Sequence, residues 1–355
     1  MNVPPDASSH KRTGPARMID VADLAGVSLK TVSRVINDEP HVSPALRGKV
    51  EDAIRRLDYV PDTAARSLGG GRTFTVGVLF DNPSPNYTMG IIEGAYRACL
   101  SSGYHLRIDH MDSSLEPALV RAQLDAIFRN SRTDGFVLTP PLTDEPMVLD
   151  HFDNLGVRYV RIAPADTSNR SPGVYIDDEE AGGRVAQYMW DLGHRSFGIV
   201  NGPSRHSASR RRRAGFLGRL VELAPQATVA EASGEFQFAG GIAGGARLLS
   251  HDDRPTAIFA TNDDMAAGVM VACAQAGLTV PDDISVVGFD DSWVARSVWP
   301  YLTTVAQPIA DMAATAVRLL LDRKRPVNGP ELHKLDYHLV ERSSVVAPPH
   351  GRGQG

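Results

Sequence analysis

Two cysteines in 355 residues, Cys99 and Cys273, are too few and too far apart for a disulfide scaffold or a cysteine-rich zinc site. Both lie in helix-like apolar stretches, which suits a reducing compartment. No apolar run approaches the roughly 18 residues that a bilayer-spanning helix needs. The segment from Met1 to Arg17 lacks the apolar core of a signal peptide, so the cytoplasm is the expected location. Also missing are a GxxxxGKS/T phosphate loop and an HExxH zinc motif. Serine and histidine occur together, but nothing places them on a nucleophile elbow. The pairs Asp177-Asp178 and Asp252-Asp253 read as helix caps and solvated turns rather than metal ligands. These absences speak against an enzyme, and no cofactor or metal is expected.

What remains is the composition of an ordinary folded chain, 42% hydrophobic and 22% charged, which excludes collagen-like and wholly disordered readings. The length suits roughly two domains with a small extra module. A net charge of −5 argues at first against a nucleic-acid partner. Its distribution is more informative. Residues 1–72 carry 11 Lys/Arg and 9 Asp/Glu, whereas the remainder carries 26 and 33. A weakly basic head on an acidic body keeps DNA binding open.

Residues 1–16 are rich in Pro, Ser and Gly without apolar periodicity and read as a disordered tail. Three short helices follow in a domain spanning 17–60. The first carries Val21, Leu24 and Ala25 and is stopped by Gly26. The second starts at Ser28, a good N-cap, with Val32, Val35 and Ile36 as its stripe. The third follows Ser43-Pro44, with Leu46, Val50, Ile54 and Leu57 at helical spacing. One small core can form from Val21, Leu24, Val32, Val35, Ile36, Val50 and Ile54. The junction Ala25-Gly26-Val27 allows only a tight turn, the geometry of a helix-turn-helix. A three-helix bundle used for dimerisation is the alternative. The polar second helix, bearing Lys30 and Arg34, favours DNA.

Residues 61–72 hold a helix of one or two turns, Pro61 to Leu68, and then three glycines. So short a helix needs a partner to fold. From 73 to 345, short apolar runs alternate with helices. Strands are expected at 76–80, 105–109, 136–138, 159–162, 197–200, 257–260, 285–287 and 303–305. Repeated β-then-α order means parallel sheets covered by helices. The length is twice that of one such subdomain, so the fold class is a small all-α head plus an α/β core of two doubly wound parallel-sheet lobes. Ligands bind such sheets at the carboxyl ends of the strands. Residues 346–355 read as a flexible tail.

Several stretches closely resemble the lactose-repressor (LacI/GalR) family of transcription factors. They are Ile19-Asp20-Val21-Ala22, Ala25-Gly26-Val27-Ser28, Thr31 to Asn37, Asp191-Leu192-Gly193-His194-Arg195, Ala260-Thr261-Asn262-Asp263, Ile284 to Asp291 and Leu302-Thr303-Thr304-Val305. The likeness spans about residues 17 to 345. It implies a head, a hinge and a periplasmic-binding-protein-like core acting as a homodimer or a tetramer on palindromic operator DNA, as a repressor. Arg17 stands where the family usually has a Thr or Ser cap, which leaves the start of helix one less well fixed.

The resemblance implies that Leu29 and Lys30 occupy positions that vary with operator sequence, and that Arg34 contacts a base. Lys30 and Arg34 can donate to guanine, and Leu29 offers apolar contact to a thymine methyl. Thr31, Ser33, Asn37 and Ser43 complete the expected DNA-binding set, with the hydroxyls suited to phosphates. In the family, leucines at the position of Leu68 wedge into the minor groove, with Ala65 one turn earlier.

For the effector, the resemblance points to Asp81, Tyr87, Arg212, Phe236, Asn262 and Asp290. Asp, Asn and Arg beside aromatic faces suit a neutral polyhydroxylated ligand such as a sugar. Ala163-Pro164 stands where relatives often place an acidic residue. Trp293 and Trp299 flank the Asp290 segment, either as stacking groups or as cleft-edge packing. Sugars release DNA in many relatives and purines promote binding in others; the hydroxyl-matching cleft favours a carbohydrate inducer. The competing reading is a solute-binding protein of the same two-lobed fold, which would have a signal peptide and no helical head.

Overall fold

A computed structural model describes residues 16–36, 42–59, 72–130, 132–165, 170–225, 227–250, 253–322 and 331–348. Asn37, Ala65, Leu68, the expected hinge helix, its three glycines, and all of the N-terminal tail except Ala16 lie outside the described residues. The chain divides into two compact units, Met1–Phe74 and Thr75–Gly355.

The first unit contains α1 (Met18–Ala25), α2 (Leu29–Ile36) and α3 (Pro44–Arg56). Gly26 ends α1 at φ 65°, a left-handed conformation that glycine adopts without a Cβ clash. The Ser28 hydroxyl accepts from the Thr31 N–H at 3.2 Å, and Ser43 caps α3 through the Leu46 N–H at 3.4 Å. Arg17 offers no side-chain cap, yet the start of α1 is fixed from inside. The Arg17 N–H donates to the Asp20 carboxylate at 2.8 Å. Val21, Ala22, Val32, Val35, Val50, Ala53 and Tyr59 form the core. Leu24, expected in it, is exposed, as is Leu46 from the expected stripe of α3. The core-facing stripe of α1 runs through buried Val21 and Ala22 and half-buried Ala25, and Leu24 falls about 100° away from its centre. Leu46 sits in the first turn of α3, at the rim of a core centred on Val50 and Ala53.

The second unit begins with β1 (Thr75–Phe80), α4 (Pro85–Ser101), β2 (His105–His110), α5 (Pro117–Asn130), β3 (Gly135–Leu138), α6 (Pro146–Leu155), β4 (Tyr159–Ile162) and β5 (Gly173–Tyr175). It continues with α7 (Asp178–Asp191), β6 (Phe197–Asn201), α8 (Ser207–Leu223), β7 (Val229–Ser233), α9 (Phe238–Leu249), β8 (Ala257–Ala260) and α10 (Asp263–Gln275). Then come β9 (Ser285–Asp290), β10 (Thr303–Ala306), α11 (Ile309–Leu321), β11 (Leu332–Lys334) and β12 (His338–Val340). All eight expected strands form; β5, β7, β11 and β12 are additional.

Two six-stranded sheets result, in the orders β11-β5-β4-β3-β1-β2 and β12-β10-β9-β8-β6-β7. Every pairing is parallel except β10 with β12. Helices cover both sheets, so β3, β4, β8, β9 and β10 are buried along their whole length, the reason they read as apolar runs. The chain passes between the lobes from β5 to α7, from β10 to α11, and from β11 to β12. Helix α11 follows the second sheet but packs on β3, β4 and β5 of the first.

Val346, the first residue of the expected flexible tail, is hydrogen-bonded to the core. The Val346 carbonyl accepts from His194 Nε2 at 2.9 Å, and its N–H donates to the Ser285 hydroxyl at 3.1 Å. Among the described residues, no helix is long and apolar enough to cross a membrane.

Candidate functional site

A narrow cleft between the two sheets has about 380 Å³ of empty space, counting its open mouth. Its walls come from the carboxyl ends of strands in both lobes, where helix N-termini and loops converge. Asn82, Pro140 and Ala163 follow β1, β3 and β4; Asn262, Asp290 and Gln307 lie at the ends of β8, β9 and β10. Tyr87 enters from the first turn of α4, Arg212 from α8, and Phe236 from the loop after β7. Ala163, Phe236 and Asp290 adopt φ of 50°, 58° and 115°. Such left-handed non-glycine residues store backbone strain, and here they gather on the cleft wall.

Arg212 is the centre of the polar side. It is buried, donates through Nε to Asp178 Oδ1 at 2.8 Å and through Nη1 to the Thr261 carbonyl at 2.7 Å, and its Nη1 stands 3.6 Å from Asp290 Oδ1. Its guanidinium lies 3.6 Å over the Phe289 ring. The sequence reads Asp178 as a cap or solvated-turn residue; it is instead 3% exposed and paired with Arg212. Asp177 keeps the expected capping role, accepting from the Glu180 N–H at 3.1 Å. The two adjacent aspartates differ because one points along the helix end and the other into the lobe. Gly182, one turn into α7, allows this contact, since a Cβ there would lie 2.2 Å from the Arg212 carbonyl oxygen.

Burial pushes the Asp290 carboxyl up to about 7, against the pull of Arg212 and of the Gln307 amide that donates to it at 2.5 Å. Burial likewise raises Asp178, with Arg212 opposing. Asp263 is held well above the carboxylate range by burial and then by the Asp290 charge, though Thr304 and the Ser292 N–H both donate to it. The Tyr87 hydroxyl is raised by burial and by Asp290. The cleft can therefore present donors from Tyr87 and Arg212, an acceptor at Asp290, and the flat face of Phe236.

The other expected residues divide. Asn262 lines the cleft, but its amide is engaged: it caps α10 by accepting from the Met265 N–H at 3.0 Å and donates to the Phe236 carbonyl at 3.2 Å. Asp81 is buried beside the cleft rather than on its lining, where Asn82 takes its place. It accepts from the Ser113 N–H and hydroxyl at 2.9 and 2.5 Å and pairs across the lobes with Arg205 at 3.3 Å. Trp293 and Trp299 are both largely exposed and neither lines the cleft. Sequence reasoning did not single out His206, Gln307 or the lobe-bridging Asp264. Asp264 on α10 accepts from the Ser84 hydroxyl at 2.6 Å and from the Asn86 amide. A further bridge joins Asp144 to the Ser207 hydroxyl at 2.9 Å. Among the described residues no cluster of His, Cys, Asp or Glu could hold a metal ion.

In the first unit, α2 turns Val32 and Val35 into the core and leaves Leu29, Lys30 and Arg34 exposed, with Thr31 and Ser33 half-buried. Lys30 and Arg34, four residues apart, share one helical face.

Residues 17–62 match the model for bacterial regulatory proteins of the lacI family, and residues 186–345 match a periplasmic binding protein-like domain. The ribose operon repressor of Escherichia coli K12 is 34% identical over 335 residues, covering 93% of this chain and all of the relative. The fold is similar to that of the lac repressor dimer bound to operator and the anti-inducer ONPF, at TM-score 0.73 and 28% identity, over 94% of this chain and all of that one. It is also similar to the transcriptional regulator CelR in complex with cellobiose, at TM-score 0.69 and 29% identity, over 93% of this chain and 99% of that one.

Proposed function

Since the chain belongs to the LacI family of bacterial regulatory proteins, we propose that it represses transcription as a homodimer on an inverted-repeat operator and is released by a small carbohydrate held in the cleft. Family membership makes it a DNA-binding regulator under effector control, not an enzyme. The solute-binding alternative has no use for a helix-turn-helix head with exposed Lys30 and Arg34.

Reading DNA falls to α2. Lys30 and Arg34 donate to guanine edges, Leu29 packs on a thymine methyl, and Thr31, Ser33, Asn37 and Ser43 set the register on phosphates. Ala65 and Leu68 act at the hinge, where a leucine wedge bends the site. The cytoplasm is where this DNA is met. Exposed Met89, Tyr96 and Leu100 on one face of α4, with Ile108 on the edge strand β2, supply an apolar surface for a second copy.

The observation that carries the effector reading is that buried Arg212 and Asp290 line one cleft with Phe236, while Asp178 pairs with Arg212. Charged groups fixed by each other, beside a flat ring, suit a ligand with many hydroxyls and one apolar face. Tyr87 and Asn82 from one lobe, and Arg212, Phe236 and Asp290 from the other, let such a ligand favour one lobe orientation. That orientation sets how two hinge segments approach, and each is too short to be helical alone. The ligand acts only through its differential affinity for the two states. Calorimetry of wild type and Arg212→Ala against sugars and nucleobases, with and without operator, tests this. A sugar should bind wild type more tightly without operator, and Arg212→Ala should lose it. Equal affinity with and without operator, or an undiminished Arg212→Ala, would refute the assignment.

A further inference from the structure

His206, at the N-cap of α8, is the one cleft side chain whose buried polar atom has no partner among the described residues. The residue is 1% exposed and lines the cleft, its ring edge-on to Phe236 at 5.3 Å. Its Nε2 is fully buried and makes no hydrogen bond. The ring does not cap its own helix. Gly202 leaves room for the Phe236 ring against it, since a Cβ there would lie 2.2 Å from that ring. Buried ring nitrogens in native proteins are nearly always satisfied, so an orphan one on a residue that lines a cleft marks a place for a ligand atom.

The charge around it defines that atom. Burial, then the neighbouring Arg205, Arg212 and Arg210, hold the imidazole far below its usual titration, at about 3, so it is neutral at cellular pH. A neutral imidazole offers one donor and one acceptor and no charge. Among the described residues, Arg212 is the only cationic side chain on the lining, and Asp178 and Asp290 already face it. Arg205 is turned to Asp81, and Arg210 donates to the Ser204 carbonyl. A phosphate or carboxylate entering the cleft would have to take Arg212 from a buried aspartate and leave that aspartate uncompensated. A hydroxyl imposes no such exchange.

We infer that His206, exchanging a hydrogen bond with a ligand hydroxyl through Nε2, makes the cleft select an uncharged polyol over the phosphate or carboxylate derivative of the same sugar. This rests on the carbohydrate reading above and adds the charge class and the selecting residue.

The test is calorimetric titration of full-length wild type, His206→Leu and His206→Gln. The ligands are ribose with ribose 5-phosphate, glucose with glucose 6-phosphate, galactose with galacturonate, cellobiose, and purine bases. At least one neutral sugar should bind wild type, and its charged counterpart should bind about tenfold or more weakly. His206→Leu should lose about tenfold in affinity for that sugar, and His206→Gln, which keeps polar atoms, should recover part of it. The ligand-free melting temperature of His206→Leu should not fall, because the substitution removes an unpaired buried nitrogen. A merely structural histidine would lower it. If the neutral sugar binds wild type and His206→Leu equally, or the charged counterpart binds more tightly, this inference fails and the carbohydrate reading stands. If only a purine binds, or nothing does, both fail.

Discussion

Replacing Arg212 with alanine should do two separable kinds of damage. The side chain is 4% exposed and serves two buried carboxylates, a backbone carbonyl and a ring face. Removing one partner of a buried ion pair typically costs about 3–5 kcal/mol, because the other charge stays buried without compensation. At about 2–4 °C per kcal/mol for a domain of this general size, the core should melt roughly 10 °C lower. The sign with pH follows from Asp178 and Asp290, whose folded carboxyls are raised. A raised folded carboxyl binds its proton more readily than the unfolded chain, so its contribution to stability is lost as pH rises. The deficit of Arg212→Ala should therefore be smaller at pH 5 than at pH 8. Replacing Arg212 with Met and Asp178 with Leu together should restore part of the melting temperature, since that ion pair leaves the interior and only Asp290 stays without its cation, while effector binding stays lost. Thermal melts at the two pH values, paired with effector titrations, give both readouts. A single variant that melts within about 2 °C of wild type at pH 8 would show that Arg212 does not compensate buried charge.

Three further outcomes are expected. Gly182→Ala should destabilise the core by about 1–3 kcal/mol and weaken effector binding, because its Cβ would lie 2.2 Å from the Arg212 carbonyl oxygen; chemical denaturation with unchanged stability would contradict the close approach of α7 and α8. In wild type, Asp290 should cost stability as pH rises from about 4 to about 7, whereas His206 should cost stability as pH falls from about 6.5 to about 3. Asp290→Asn should remove the first slope and His206→Leu the second, each about 1.4 kcal/mol per pH unit; pH-dependent melts that stay parallel to wild type would refute the assigned protonation states. Arg34→Ala should cost about 1–3 kcal/mol of discrimination at one base position, measured on a library of single-base operator variants, and a uniform loss across all variants would make Arg34 a phosphate contact.

The helical head is legible because its signals are local. Ser28, Ser43 and Gly26 act on their own turns, and all three behave as their residue types suggest. Buried central strands such as β8 and β9 are legible as apolar runs. The strands β5, β11 and β12 are not, having three residues each, and β7 alternates small and polar residues on a sheet edge. Arg212, Phe236 and Asp290 were reachable through family motifs, and the cleft brings them together. Asp178 and His206 were not, because packing decides their roles. Asp178 sits beside a capping aspartate and looks like a second one, and only the fold turns it toward Arg212. Nothing in the stretch Ser204-Arg205-His206-Ser207 distinguishes a buried imidazole from a solvated one.

The central claim is that this chain holds an operator until an effector changes its affinity. Selection of genomic fragments by the purified full-length protein at low salt, sequenced with and without the sugars above, tests it most directly. A short inverted repeat should be enriched, its recovery should fall steeply as salt releases protein–phosphate contacts, and one sugar should reduce it. Enrichment of no common sequence, or of one indifferent to every ligand that binds the cleft, would contradict the account.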